Sequence, residues 1–177
     1  MPEFEEYVKR LAEYLLVTAQ TAPKGRGEDS LVMRVLVGEE KTRLAMAMLA
    51  MAEKTGKKRY ERDGKNLEQS DAVILIGIRP HKAMGFECMA CGLGCKGFDE
   101  FEKKKGEFEG PNCAFKLIDL GIALGSVAKN AAIFGLDSRI MYTVGAAAKA
   151  ENMLDATVII GFPVSATAKS PYFDRKP

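Results

Sequence analysis

Tryptophan is absent from the 177 residues, and histidine occurs once, as His81. With one histidine and no serine in a glycine-flanked elbow, no nucleophile–base pair stands in a recognisable spacing. No Walker-type phosphate loop occurs either, so neither hydrolysis nor phosphoryl transfer is supported. No apolar run approaches the ~20 residues that a membrane span needs. The N-terminal stretch MPEFEEYVKRLAEYLL is acidic and amphipathic, without the basic segment and apolar run of a signal peptide. A dominant charge sign is missing too. The 26 basic and 24 acidic residues leave a net charge of +2, which argues against a general nucleic-acid binder. The expected location is the cytoplasm, where thiols stay reduced and serve metals or redox chemistry rather than disulfides.

What is present is enough for one domain with a sizeable core, since 47% of residues are hydrophobic. The expectation is a single domain over 1–177 with an inserted cysteine-rich segment at 80–113. Phe4, Val8, Leu11, Leu15 and Thr18 recur at helical spacing and predict a helix over 3–20. TAPKGRGEDS breaks that pattern. LVMRVLV (31–37) predicts a strand, and GEEKTRLAMAMLAMAEKTG a helix ending at Gly56, with Met46, Met48 and Met51 as core filler. A short helix is expected within 57–70. DAVILIGI (71–78) is a continuous apolar run, as in a strand covered on both faces. CAFKLIDLGIALGSVAKNAAIFGLD predicts a long helix with Gly135 at its C-cap. SRIMYTV, GAAAKAENML and ATVIIGF then predict strand, helix and strand. Helices and strands alternate around a central sheet.

The chain's four cysteines are Cys88, Cys91, Cys95 and Cys113, and three of them fall within FECMACGLGCKGF. Thiolates are soft ligands suited to zinc, copper(I) or iron–sulfur clusters. Four complete a shell for tetrahedral zinc or for a four-iron cluster. Structural zinc more often takes two similar Cys-x2-Cys knuckles. Three ligands in one loop with a remote fourth is commoner in cluster proteins. Gly92, Gly94 and Gly97 let that loop fold back, and Met84, Phe86, Met89, Leu93 and Phe98 could shield a cluster. Zinc and ordinary thiols remain alternatives, and His81 reads as an ordinary loop residue.

The segment CMACGLGCKGFDEFEKKKGEFEGPNC resembles the small 4Fe–4S module of electron-transfer and carbon-monoxide-related proteins of anaerobes. Its middle spacing is three residues here, where four is frequent in that module. Beyond it, AQTAPKGRGEDSLVMRVLVGEEKTRLAMAM, DAVILIGI, LIDLGIALGSVAKNAAIFGLDSR and GAAAKAENMLDATVIIGFPVS resemble, in order, the core segments of the nitroreductase family. The whole chain, with TAPKGRG, the cysteine loop and YFDR, is identified as a member of the ferredoxin-domain-containing proteins of unknown function.

The nitroreductase resemblance implies an α+β three-layer sandwich: a central, mainly antiparallel sheet flanked by helices, plus the Cys-rich loop insertion. It also implies a homodimer with FMN at the interface. On that resemblance Lys24 and Arg26 are candidate flavin-phosphate contacts, and Gly145, placed after a strand, a candidate contact with the flavin ring. The chain begins after the family's Arg-Arg-Ser-type phosphate clamp, so that clamp is expected to be missing. Solvated surface charges, and a helix N-cap or turn glycine, are the plain alternatives for these residues. Gly121 and Gly125 read as a small-residue stripe for close helix packing, and Arg175 as a surface residue. Taken together, the expectation is a redox protein that carries a 4Fe–4S cluster or zinc, with FMN and a redox partner protein as further expectations. A structural or sensing metal module without flavin is the alternative.

Overall fold

The computed structural model describes residues 2–173; Arg175 lies outside them. Helix α1 (Pro2–Gln20) buries Val8, Ala12, Leu15 and Ala19 along one stripe. Phe4, Tyr7 and Tyr14 face outward, so the buried stripe is narrower and richer in alanine than the large residues suggest. A 3-10 turn at Gly25–Gly27 leads to β1 (Leu31–Leu36). Helix α2 (Gly38–Thr55) stops where Gly56, at φ 67°, donates its N–H to Ala52 O, a left-handed C-cap that glycine adopts without strain. Leu44, Ala45 and Met48 face the core, whereas Met46 is 65% exposed, correcting the expectation that all three methionines fill the core. Helix α3 (Lys58–Glu68) follows and packs on α2.

Strand β2 (Ala72–Ile78) is buried at every position, which is why its sequence is apolar without alternation. Ala72, Ile74, Ile76 and Ile78 point into a cluster with residues of α1 and of α5 (Ala114–Ile133). Val73 and Leu75 point the other way, into a cluster with α2, α3 and α6 (Tyr142–Ala150). Between β2 and α5 lie α4 (Gly94–Glu100) and a small hairpin, β3 (Lys104–Lys105) with β4 (Glu109–Gly110). The main sheet has the order β1-β2-β6-β5, with β5 at Asp137–Ser138 and β6 at Val158–Ser165, every pairing antiparallel. This is a three-layer α+β sandwich, with α1 and α5 on one face and α2, α3 and α6 on the other.

The segment SRIMYTV is not a strand. Only β5 and a single bridge, Met141 to Gly161, pair with the sheet, and α6 starts at Tyr142. Its β-branched and aromatic residues favour a strand locally. Tertiary packing overrides them: a Cβ at Gly145 would lie 1.8 Å from Ile159 O, and one at Gly161 would lie 2.1 Å from Val144 Cγ1. Two glycines thus let α6 rest on the backbone of β6, and only a helix presents Val144, Ala146, Ala147 and Ala148 to that core.

Candidate metal centre

The cysteine loop leaves the sheet at the end of β2 and returns at the N-terminus of α5. Its outgoing end is held where Arg79 N–H donates to Ser30 O at 2.9 Å. Its returning end is held by Thr157, which precedes β6. Thr157 O accepts from the Glu109 N–H at 3.0 Å, and the Thr157 hydroxyl lies 2.7 Å from Asn112 Oδ1. Within the loop, Asp99 Oδ1 accepts from the Ala83 N–H at 2.8 Å, tying α4 back to the outgoing strand end.

Cys113 is the N-cap residue of α5 and is buried. It forms a small apolar cluster with Met84 and Phe98, against which Cys91, Leu93, Ala83 and Phe115 pack. The remote fourth cysteine and the middle cysteine of the loop therefore share one apolar environment. Cys95 sits in the first turn of α4, its N–H donating to Glu87 Oε2 at 3.4 Å. Cys88 is exposed, between Glu87 and Met89, both with positive φ. Gly92 (φ 81°) and Gly94 (φ 67°) turn the chain between Cys91 and Cys95. Of the five residues expected to shield a cluster, Met84 and Phe98 are buried, Leu93 is partly so, and Phe86 and Met89 are exposed.

Among the described residues no three His, Cys, Asp or Glu side chains stand together as a ligand set. Cys91 and Cys113 share one apolar floor, and the four cysteines do not form a closed shell. By donor chemistry they fit a soft metal or a cluster: four thiols, no competing thiol elsewhere in the chain, and an apolar floor under two of them. A helix N-terminus beside Cys113 also favours a negatively charged centre.

His81 is the residue that sequence reasoning undervalued. Its Nε2 accepts the Cys113 N–H at 3.1 Å, so its proton resides on Nδ1, which donates to Arg79 O at 2.9 Å. Its ring stacks on Phe98 at 5.7 Å. Burial, helped by nearby Lys103 and Lys116, pushes the imidazole below its ordinary pKa, while the Arg79 carbonyl works in the opposite direction. His81 thus holds the backbone of Cys113 as a neutral acceptor. Being the one histidine, placed just before the loop, was its only signal in the sequence.

Each of the three candidate flavin contacts is engaged within the chain. Lys24 Nζ donates to Ala19 O, Gln20 O and Ala22 O, closing the C-terminus of α1 with all its protons. Arg26 Nη1 donates to Met84 O at 2.9 Å, and its guanidinium lies over Phe86, so it ties the TAPKGRG turn to the cysteine loop. That turn is also fixed to α5, where Asp119 Oδ1 accepts from the Gly25 N–H and Lys116 Nζ donates to Glu28 O. Gly145 lies inside α6, buried against β6, not in an open turn after a strand. Its lack of a side chain serves helix–sheet contact.

Comparison with known proteins bears on both the loop and the scaffold. A family described as "Uncharacterized protein containing a ferredoxin domain (DUF2148)" matches residues 109–175, a span that includes Cys113 but not the other three cysteines. An uncharacterized protein of Archaeoglobus fulgidus is 47% identical over 173 residues, covering 97% of this chain and 94% of the relative. Among solved structures, a nitroreductase family protein from Clostridium novyi matches with TM-score 0.59 and 15% identity, over 94% of this chain and 77% of that one. The FMN-dependent nitroreductase NfnB from Mycobacterium smegmatis, in complex with NADPH, matches with TM-score 0.58 and 13% identity, over 92% and 80%. A nitroreductase with bound FMN from Desulfitobacterium hafniense matches with TM-score 0.57 and 15% identity, over 94% and 82%. At these identities the likeness establishes a nitroreductase-like fold.

Proposed function

Since the chain belongs to the family of uncharacterized proteins containing a ferredoxin domain, we propose that it is a redox protein in which residues 80–113 hold a 4Fe–4S cluster through Cys88, Cys91, Cys95 and Cys113. The observation that carries this reading is the shared packing of Cys91 and Cys113 on Met84 and Phe98, which joins the loop to the N-terminus of α5. A ferredoxin-type centre supplies one-electron chemistry when bound.

This chain's residues do the rest. Met84 and Phe98 keep water from the inner side of the site. His81 fixes the main chain of Cys113, and Thr157 with Asn112 fixes the return of the loop. Exposed Cys88 marks the edge that a redox partner protein would approach. Exchange of electrons with such a partner, or with FMN on the nitroreductase-like scaffold, is the function this arrangement supports.

We also assign a homodimer to the outer face of α5. Leu117, Ile118, Ile122 and Ile133 are exposed there, and no atom lies within 4 Å of a Cβ built at Gly121 or Gly125. A glycine-lined apolar stripe of this kind fits a second copy of the same helix across a two-fold axis, because small residues allow close approach.

The test is reduction and reoxidation of anaerobically purified protein, followed by acid release of any flavin. A visible band that bleaches with dithionite and returns with an oxidant supports the reading. A colourless protein that takes up no electrons overturns it, and one bound zinc would then make the same cysteines a structural clasp.

A further inference from the structure

On the opposite face of the sheet from α5, a cavity of about 200 Å³ opens between α3 and the N-terminus of α6. Arg59, Arg62, Asp63, Arg139, Tyr142 and Thr143 line it. We propose that this cavity is a binding site for a phosphate group, held by the guanidinium groups of Arg59, Arg62 and Arg139.

The charge count is lopsided. Among the described residues, three guanidinium groups meet one carboxylate in the lining, and that carboxylate is already committed. Asp63 Oδ1 accepts from Arg62 Nε at 2.7 Å, and Asp63 Oδ2 accepts from the Thr143 hydroxyl at 2.6 Å. Asp63 is only 4% exposed, so it acts as a backing for Arg62 and Thr143 and does not close the cavity. Glu107, the other nearby acid, is held by Lys57 Nζ at 2.7 Å and by the Tyr142 hydroxyl, and it meets Arg59 only at 3.7 Å.

The arginines keep donors to spare. Arg62 uses Nε on Asp63, and no described residue takes its terminal nitrogens. Arg139 spends Nη1 on Tyr172 O at 3.2 Å, with its plane over Phe173. Arg59 lies over the Tyr60 ring and, among the described residues, meets the Glu107 carboxylate at 3.7 Å. A guanidinium presents a planar fork of N–H groups that matches two phosphate oxygens at once, which an ammonium cannot do. Gathering three such groups around one hollow costs like-charge repulsion, and an oxyanion between them removes it.

The end of α6 adds to the same field. This helix of nine residues has no side-chain cap and no acidic residue in its first turn, and the Thr143 hydroxyl is turned to Asp63. Its positive end therefore opens on the arginine-lined hollow. The site is independent of the cysteines and does not rest on the metal reading. Orthophosphate and the diphosphate end of a nucleotide-like molecule share the chemistry it recognises.

The experiment is calorimetric titration of the full-length protein with orthophosphate and with pyrophosphate at low ionic strength. Wild type is compared with Arg59→Gln and Arg139→Gln. Arg62 is left intact because it pairs with buried Asp63. Saturable binding that is about tenfold weaker in each variant supports the proposal, as expected for loss of one charge-assisted contact. Tighter orthophosphate points to a free or monoester phosphate, and tighter pyrophosphate to a diphosphate; both support the site. No saturable binding by either probe, or binding unchanged in both variants, overturns it. If a glutamine variant fails to fold, Arg59→Lys keeps the charge without the fork and serves in its place, expected to bind more weakly than wild type.

Discussion

Replacing Gly145 with alanine sets two opposing effects against each other. An alanine in the helix interior gains about 1 kcal/mol over glycine from backbone entropy. Against this, the new Cβ would sit 1.8 Å from Ile159 O and 2.4 Å from Ile159 C. Those atoms are main chain of β6, pinned by the pairing of Ile159 with Gly77 on β2, so they cannot rotate aside. Helix α6 has to lift by about 1 Å or more before the contact becomes tolerable. Lifting it strips contacts from Val144, Ala146, Ala147 and Ala148, which are buried in the same cluster. Overpacking of this kind costs about 1–3 kcal/mol or more, and a rigid backbone partner places this case at the upper end. The net expectation is a loss of about 2 kcal/mol, or roughly 4–8 °C in Tm for a chain of this size. Urea and thermal denaturation at matched metal content measure it. Gly64→Ala is the graded control, because its Cβ would meet Met48 Cβ and Leu49 Cδ2 at 3.2 Å, a far milder contact than the one at Gly145. A Gly145→Ala protein as stable as wild type, or more stable, would refute the packing argument.

Three further outcomes follow from the structure. Lys41 Nζ donates to Leu67 O, Glu68 O and Ser70 O at the C-terminus of α3, so Lys41→Met strands buried carbonyls and should cost about 2–3 kcal/mol in urea denaturation. Burial raises the pKa of Tyr172 to about 12, and burial together with the Glu107 carboxylate does the same for Tyr60. Folding thus favours their protonated forms, so this contribution is intact below pH 10 and is lost as pH rises through about 12. Tyrosinate absorbance should show these two of the five tyrosines titrating last, or only on unfolding. Gly121→Glu places a charge on the open stripe of α5, and light scattering should read a monomer where wild type reads a dimer; equal masses would count against that interface.

Local pattern carried much of the architecture. The unbroken apolar run of β2 announced a strand covered on both faces, and Gly56 marked the end of α2 through its left-handed cap. The cysteine set stood out because every thiol in the chain falls into one ligand-like spacing. What was not legible depended on partners far along the chain. Tyr142, Thr143 and Val144 favour a strand locally, and only the close approach at Gly145 and Gly161 makes their segment a helix. Lys24 read as a flavin-phosphate contact or a solvated charge, yet it turns back to cap the carbonyls of a helix end, as Lys41 does. His81 meets the Cys113 N–H across 32 positions, a contact that no window of sequence contains. Arg59, Arg62 and Arg139 converge only because α3 packs beside α6.

The central claim is that the four cysteines hold an iron–sulfur cluster. Iron, acid-labile sulfide and zinc, measured per chain on protein purified without oxygen, test it most directly. About four irons and four sulfides per chain are expected, reduced sharply in Cys113→Ser while the fold persists. One zinc with neither iron nor sulfide, or iron retained in full by Cys113→Ser, would contradict it.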